Sequence, residues 1–389
     1  MSKPVSKPVG SHPLRVAVVG LGIGEAHVQA YKLLPERFEL TALCDLDAAR
    51  AAAAAAALGG LPYYTSLGEL LENSDAELID LCTPPHLHFA QVQAVLARGW
   101  HVICEKPLVG SLREVDALAT LEAASGCRVF PIFQYRFGHG LQKLKSLVDQ
   151  GVTGRAFTTT VETAWRRRAD YYQVPWRGKW ASELGGALIS HALHAHDMLS
   201  YILGPVRRVA AFTATRVNPI EVEDCASVSL ELADGSLASL TVTLGSAAEI
   251  SRHRFCFENL VAESGIDPYR SSSEPWTFTP DTAEQAVRVE KTLARFSPQP
   301  EGYEGQFYRV YEALRRGAPA PVTLHDARTA LELATAIYEA AETGTVVSLP
   351  LNEQHPRYAT WQPASLRKPG QNLGQRPGQN LGSTKTEAW

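Results

Sequence analysis

The chain has 389 residues, 45% of them apolar, with 37 Lys and Arg against 41 Asp and Glu and a formal net charge of -4. That length exceeds one ordinary core and suggests two domains. The near balance of charge offers no basic patch for nucleic acid or an anionic membrane surface.

Residues 1–13 repeat Ser-Lys-Pro-Val and lack the apolar stretch of a signal peptide, so they read as a flexible start. No run approaches the roughly 20 consecutive apolar residues of a membrane span. A cytoplasmic protein is expected.

From Leu14 to about Pro131, strand-like runs at Leu14–Val19, Glu39–Cys44, Leu78–Cys82, His101–Cys104 and Arg128–Ile132 alternate with helical patterns at Asp47–Leu58, His86–Arg98 and Leu112–Ala124. Strands alternating with helices of that length build βαβ units, so residues 14–133 are expected to form an α/β, Rossmann-like domain on a doubly wound parallel sheet. The alanines at 51–57 suit a helix there. Cys44, Cys82 and Cys104 lie in or at the end of strand-like runs and no Cys-x-x-Cys pair exists, which favours buried, reduced thiols.

After Gly140 the pattern changes. A helical stretch at Leu141–Gln150 leads into Gly154–Trp165, then a His-rich helical run, then strand-like runs at Val206–Thr215, Ala226–Ala233, Ser236–Leu244 and Arg252–Glu258. Asp234-Gly235 between two of these marks a hairpin turn. Two more helices are predicted at Gly302–Arg316 and His325–Thr343. Residues 134–363 therefore read as a second, α+β domain on a largely antiparallel open sheet. Residues 364–389, which repeat Pro-Gly-Gln-Asn-Leu-Gly at 369 and 377, read as a disordered tail.

The chemistry-bearing segments occur in an informative order. Gly20-Leu21-Gly22-Ile23-Gly24 follows a strand and opens a helix, the context in which glycines let a backbone approach a pyrophosphate at the free N–H groups of a helix start. The spacing departs from G-x-G-x-x-G, because Glu25 stands at the third glycine's place and Gly24 comes one residue early. Asp45 ends the second strand, where an acid accepts the ribose hydroxyls of NAD and repels the 2′-phosphate of NADP. No Arg or Lys stands at 46 or 47, so NAD is expected and NADP is disfavoured.

Thr83, Pro84 and His88 belong to a turn at the carboxyl end of a parallel strand, a place suited to lining a cofactor. Glu105-Lys106-Pro107 ends the next strand, where a lysine can bond a hydroxyl undergoing oxidation while Glu105 orients it. Tyr171 to Trp180 is dense in aromatic and cationic side chains, Trp176 and Arg177 among them, and suits the wall of a sugar-like pocket.

With Tyr135-Arg136-Phe137 and with Gly185-Gly186-Ala187-Leu188 leading to His194 and Asp197, these segments resemble the glucose-fructose oxidoreductase/inositol dehydrogenase (Gfo/Idh/MocA) family from about residue 14 to 350. The resemblance implies a Rossmann domain followed by a domain whose open sheet commonly forms the oligomer interface, here a homodimer or homotetramer. It implies Lys106 and His194 as the catalytic pair, with Arg136, Ser190 and His191 beside them at the substrate.

One departure stands out: many members carry Asp four residues before the catalytic His, and here that residue is Ser190. On a continuous helix Ser190 and His194 would share a face at i, i+4, and Asp197 would orient His194 from i+3. Without a carboxylate at 190 the imidazole is expected near its reference pKa of about 6.5.

The spacing of His191, His194 and His196 is not that of a zinc helix, and no metal is expected. The expected reaction is NAD-dependent oxidation of a secondary alcohol on a sugar, cyclitol or sugar derivative, or the reverse. The alternatives are a glycoside-cleaving enzyme that uses NAD transiently and a catalytically silent nucleotide-binding sensor.

Overall fold

The computed structural model describes residues 12–366. The flexible start and the disordered tail expected from the sequence fall, before residue 12 and beyond 366, outside the described residues. The tail was expected from 364, yet Ala364–Leu366 forms a 3-10 turn, with the Ala364 amide on Glu342 Oε1 at 3.1 Å.

The first half runs β1 (Leu14–Val19), α1 (Gly24–Lys32), β2 (Phe38–Cys44), α2 (Ala48–Ala57), β3 (Tyr63–Tyr64), α3 (Leu67–Asn73), β4 (Leu78–Leu81), α4 (His88–Ala97), β5 (His101–Cys104), α5 (Leu112–Ser125) and β6 (Val129–Pro131). All its strand pairings are parallel, in the order β3-β2-β1-β4-β5-β6. The order reverses between β1 and β4, and ligands of such sheets bind in the crevice outside the strand ends at that point.

The second half continues with α6 (His139–Asp149), β7 (Ala156–Arg166), α7 (Ala187–Ser190), α8 (Leu193–Leu203), β8 (Val206–Ala214), β9 (Cys225–Leu232), β10 (Leu237–Thr243), β11 (Gly245–Phe257), β12 (Leu260–Ser264), β13 (Trp276–Pro280), α9 (Ala283–Leu293), α10 (Gly302–Arg316), α11 (Leu324–Thr343) and β14 (Val347–Ser348). These strands form a sheet ordered β13-β12-β11-β7-β10-β9-β8-β14, antiparallel except where β10 runs parallel to β7. β9 and β10 meet at the expected hairpin, where Asp234 Oδ1 accepts the Ser236 amide and Gly235 has φ +88°.

Alternation along β1 shows how the first sheet is packed. Leu14, Val16 and Val18 join one buried cluster, and Ala17 and Val19 join the other. The second of these clusters extends through α5 into α11 and the strands of the second sheet. The first is closed by Phe307, Val310 and Tyr311 of α10, a helix that sequence order places with the second half. Its apolar face finds its partner against α1 and Phe38, so the boundary at 134 does not divide the molecule cleanly.

The His-rich run is not one helix. α7 ends at Ser190 and α8 begins at Leu193, with His191 at φ -120° and ψ -50° between them. Ser190 Oγ donates to Gly186 O at 2.7 Å and meets His191 Nδ1 at 2.7 Å. Such side-chain bonds to local groups compete with helix continuation. The i, i+4 face expected for Ser190 and His194 is therefore absent. All six cysteines are free, and Cys44, Cys82, Cys104 and Cys127 are buried.

Candidate active site

The glycine turn lies at the switch point of the parallel sheet. Gly20 has φ +89°, and a Cβ there would stand 2.7 Å from the Cys82 carbonyl at the end of β4, so only glycine fits. A Cβ on Gly24 would press on Val18 Cγ1 at 3.1 Å, which gives this early glycine the helix-to-strand packing role of a third glycine. A Cβ on Gly22 would meet nothing within 4 Å, so the turn leaves open space before the helix start, and Ile23 beside it is half exposed. Asp45 Oδ2 accepts the Leu21 amide at 2.8 Å and Oδ1 the Asp47 amide at 2.9 Å, which ties the end of β2 to the turn. These features fit a dinucleotide: open space at a helix start and a fixed carboxylate beside it. Arg50, in the first turn of α2, comes within 3.4 Å of Asp45, a cation that positions 46 and 47 alone do not reveal.

Thr83 and Pro84 lie in the loop after β4, and Thr83 Oγ1 bonds Gln91 Oε1 at 2.5 Å. His88 was expected to line the cofactor, but it is fully buried, with Nδ1 2.9 Å from Pro107 O and Nε2 2.8 Å from Thr83 O. It braces the loop after β4 against the loop after β5.

Glu105 is also buried. Its Oε2 accepts the Lys106 amide at 2.9 Å, while Oε1 meets His27 Nε2 at 3.1 Å and accepts Tyr303 O–H at 2.9 Å. Burial pushes its pKa up, but the hydrogen bond and charge of His27 outweigh that and hold it at about 2. Glu105 thus fixes Lys106 through the backbone, not through its ammonium. His27 Nδ1 meets Asp80 at 2.8 Å, Tyr31 donates to Asp80 at 2.8 Å, and Cys82 Sγ lies 3.3 Å from His27. His27, Asp80 and Cys82 offer metal-ligand atoms within 4.8 Å of one another, but those atoms are already paired in this knot.

Lys106 Nζ reaches out of the first half and donates to Ser190 O at 2.6 Å, at the end of α7. Burial lowers its pKa, with Glu105 and Glu183 opposing and Arg177 assisting. His194 stands in the first turn of α8, its ring stacked on Tyr135 at 4.6 Å and edge-on to Phe133. Its Nδ1 is buried without a hydrogen-bond partner. Burial first, then the Lys106 charge, lower its pKa to about 3. The expectation of a value near the reference is corrected: desolvation decides, and His194 is a neutral acceptor at physiological pH.

Asp197 does not orient His194. Both its oxygens bind Arg136, from Nη2 at 2.6 Å and Nε at 2.8 Å, and Arg136 Nη1 reaches Asp326 at 2.9 Å. Arg136, expected at the substrate, is instead a buried tie among the 3-10 turn at Gln134–Phe137, α8 and α11, because two carboxylates hold its guanidinium.

His191 lies in the break between α7 and α8. Arg167 Nε donates to its Nε2 at 3.1 Å, and Ser190 Oγ faces its Nδ1, so the ring is neutral with Nδ1 protonated. Burial, then Arg167, Lys106 and Arg177, lower its pKa. His196 lies elsewhere, its charged form opposed by burial and by His253. The three histidines do not converge.

The aromatic loop contributes Arg177, whose guanidinium lies 4.0 Å from the Tyr171 ring centre and 4.3 Å from that of Trp176. Arg167 adds a second cation, bonded to Glu249 at 3.0 Å and to the Tyr269 hydroxyl at 2.9 Å. Sequence reading missed Arg167, Tyr269, Glu183 and Glu223. Arg167 just beyond a strand end was the available signal; the others depend on long-range packing. Glu223 accepts the amides of Gly186 at 3.0 Å and Leu188 at 2.9 Å and so anchors α7; burial outweighs these bonds and raises its pKa to about 7. A Cβ on Gly186 would fall 1.8 Å from Glu223 O, which explains the glycine there.

A dinucleotide-type turn at the switch point of a parallel sheet, with a lysine at a later strand end and a neutral histidine beyond it, is the set of parts that a nicotinamide-dependent oxidoreductase uses. Family comparison agrees. Residues 14–133 match the model of an oxidoreductase family with an NAD-binding Rossmann fold, and residues 141–258 match the GFO/IDH/MocA C-terminal domain. The chain belongs to the Gfo/Idh/MocA family and is an NAD-binding oxidoreductase.

An uncharacterized oxidoreductase of Synechocystis is 29% identical over 59% of this chain, which spans 65% of that relative. The D-glucoside 3-dehydrogenase of Escherichia coli is 26% identical over 87% of this chain and 98% of that protein. The WlbA dehydrogenase of Bordetella pertussis, solved with NADH and UDP-GlcNAcA, superposes with a TM-score of 0.77 at 30% identity, covering 89% of this chain and 100% of that one. Among the described residues no helix is long and apolar enough to cross a membrane.

Proposed function

We propose that the protein is an NAD-dependent dehydrogenase acting on a secondary alcohol of a sugar, cyclitol or sugar derivative. The observation that carries this reading is the meeting of Lys106 with the end of α7, just before the first turn of α8, where His194 is neutral, buried and unpaired at Nδ1. The turn at Gly20–Gly24 would hold the pyrophosphate and Asp45 the ribose. When bound, the nicotinamide supplies the acceptor for hydride.

The chain's own residues do the acid–base work. Neutral His194 takes the hydroxyl proton, and Lys106, with one proton committed to Ser190 O, directs its remaining donors at the developing alkoxide. His191, Trp176 and Arg177 would contact the ring and hydroxyls of the substrate. Arg167 and Arg177 also suit a carboxylate or phosphate on it, in keeping with the sugar-acid nucleotide bound by the WlbA enzyme. The open sheet, with Phe157, Phe212 and Leu237 exposed, would serve a homodimer or homotetramer contact.

The test is a screen of sugars, cyclitols and sugar acids with NAD and NADP, following the absorbance of reduced cofactor. NADH formation with one of these substrate classes is expected. NAD binding without turnover across all of them would favour a sensor.

A further inference from the structure

Leu184 is the one non-glycine residue with a positive φ among the described residues, at +68°. A left-handed backbone costs a leucine free energy that a glycine would not lose, and such strain persists where the surroundings over-determine it. The residue stands in the loop between β7 and α7, after Glu183 and before Gly185-Gly186. Its side chain is buried, with Cδ1 3.3 Å from where a Cβ on Gly110 would lie, so it packs against the loop that follows Lys106.

The groups that hold this strained residue come from the far end of the chain. The Trp361 indole N–H donates to Leu184 O, and Gln362 Nε2 donates to Trp180 O at 3.1 Å. Trp361 is fully buried, and the segment around it is itself fastened. Arg357, also buried, donates from Nη1 to Trp361 O at 2.7 Å and to Gln362 O at 3.1 Å, and it pairs with Glu339 and Glu342 of α11. Tyr358 donates its hydroxyl to Asp116 of α5 at 2.8 Å, and its carbonyl accepts the Arg113 amide at 3.0 Å. Residues 357–362 are therefore fixed to two helices and turn two side-chain donors to the carbonyls of another loop.

That loop carries Arg177. Glu183, between the two anchored carbonyls, accepts the Gly178 amide through Oε2 at 2.5 Å and stands 3.5 Å from Arg177 Nη1. The Arg177 guanidinium lies against the Tyr171 and Trp176 rings. Helix α7, beyond Leu184, has its own anchor, because Glu223 accepts the Gly186 and Leu188 amides. The donors from 361 and 362 thus act on the loop before Leu184 and not on the helix after it.

We infer that residues 357–362 are a strap that positions the wall of the active site, with Trp361 as the positioning residue. Its indole N–H holds Leu184 in the left-handed conformation, which fixes Glu183 and, through it, Arg177. Trp361 acts through the loop and need not touch the substrate. The inference rests on the dehydrogenase reading for the role of Arg177, whereas the hold on the loop is measured without any substrate.

The experiment compares the full-length wild type with Trp361→Phe, which keeps an aromatic ring and loses the N–H. Hydrogen exchange, read by peptide mass spectrometry with NADH bound, should show residues 176–186 exchanging roughly fivefold faster or more, the local opening expected from one lost hydrogen bond. Helices α7 and α11 and the parallel sheet should stay as protected as in wild type. With an active sugar, its KM should rise by roughly fivefold or more while kcat and NADH affinity stay near wild type, the pattern of lost uniform binding. If Trp361→Phe does not fold, Gln362→Ala, which removes the bond to Trp180 O, should show the same loosening and the same rise in KM at smaller size. Unchanged exchange over 176–186 in the folded variant, a loosening that spreads through α11, or an unchanged KM despite a looser loop overturns the inference. A looser loop in a protein that turns over no sugar with either cofactor would instead overturn the proposed function and leave the hold of Trp361 on Leu184 standing.

Discussion

Two buried polar groups of this molecule stand close together and are built on opposite terms. Beneath the glycine turn, His27, Asp80, Glu105, Tyr31 and Tyr303 form a knot in which a cationic imidazole lies between two carboxylates. Beyond Lys106, His194 Nδ1 and Glu183 Oε1 are sealed from water without a hydrogen bond. A satisfied network makes a rigid frame, whereas unpaired buried groups cost stability and persist where a ligand supplies the missing partner. On the proposed reading, the difference separates the part that must not move from the part that reacts.

The largest effect should come from breaking the satisfied side. Burial works against the charge on His27, but Asp80 outweighs it and the pKa is raised. His27→Ala would leave Asp80 and Glu105 buried without their cation and should cost about 3–5 kcal/mol of stability, measured by urea denaturation. Linkage sets the signs. The contribution of His27 is complete below its unfolded pKa and fades as pH rises through the higher folded value. That of Glu105 is present above its ordinary 4.5 and is lost as pH falls towards about 2.

On the reacting side, Lys106→Ala should cut kcat by roughly 10²-fold or more with NAD affinity and thermal stability near wild type. A loss of stability comparable to that of His27→Ala would make Lys106 part of the frame.

The smallest effect should be at the rim. On the proposed reading Asp45→Ala would remove a charge-assisted bond to the ribose worth about 1.5 kcal/mol or more and would leave Arg50 with Asp47 alone, at 3.7 Å, as its carboxylate, better able to meet a 2′-phosphate. The ratio of kcat/KM for NAD over NADP should narrow by roughly tenfold. An unchanged ratio would move cofactor choice away from Asp45.

The frame was partly legible in the sequence. Short apolar runs placed β1, β2, β4 and β5 almost to the residue, because a strand buried on both faces has few other ways to look. The two-residue β3 and the half-exposed β12 and β13 lack that signature and were missed. The lysine, the histidine and the glycine turn stood out as motifs, but their environments did not. His27 meets Asp80 and Glu105 across 53 and 78 residues, a pairing that no local pattern encodes. Arg136 and Asp197 each looked like a site residue until the fold set them against each other across 61 residues. The pKa of His194 was misjudged for the same reason: burial is a property of the assembled chain.

The return of α10 to the first sheet has a consequence for synthesis. Phe307, Val310 and Tyr311 complete the core around β1 and α1, and Tyr303 completes the hydrogen bonds of Glu105. An N-terminal domain usually folds first, while the rest of its chain is still being made. Here the growing chain exposes the apolar face of the nucleotide-binding half until α10, at Gly302–Arg316, has left the ribosome. The core of that half is complete only when the far end of its partner has packed against it.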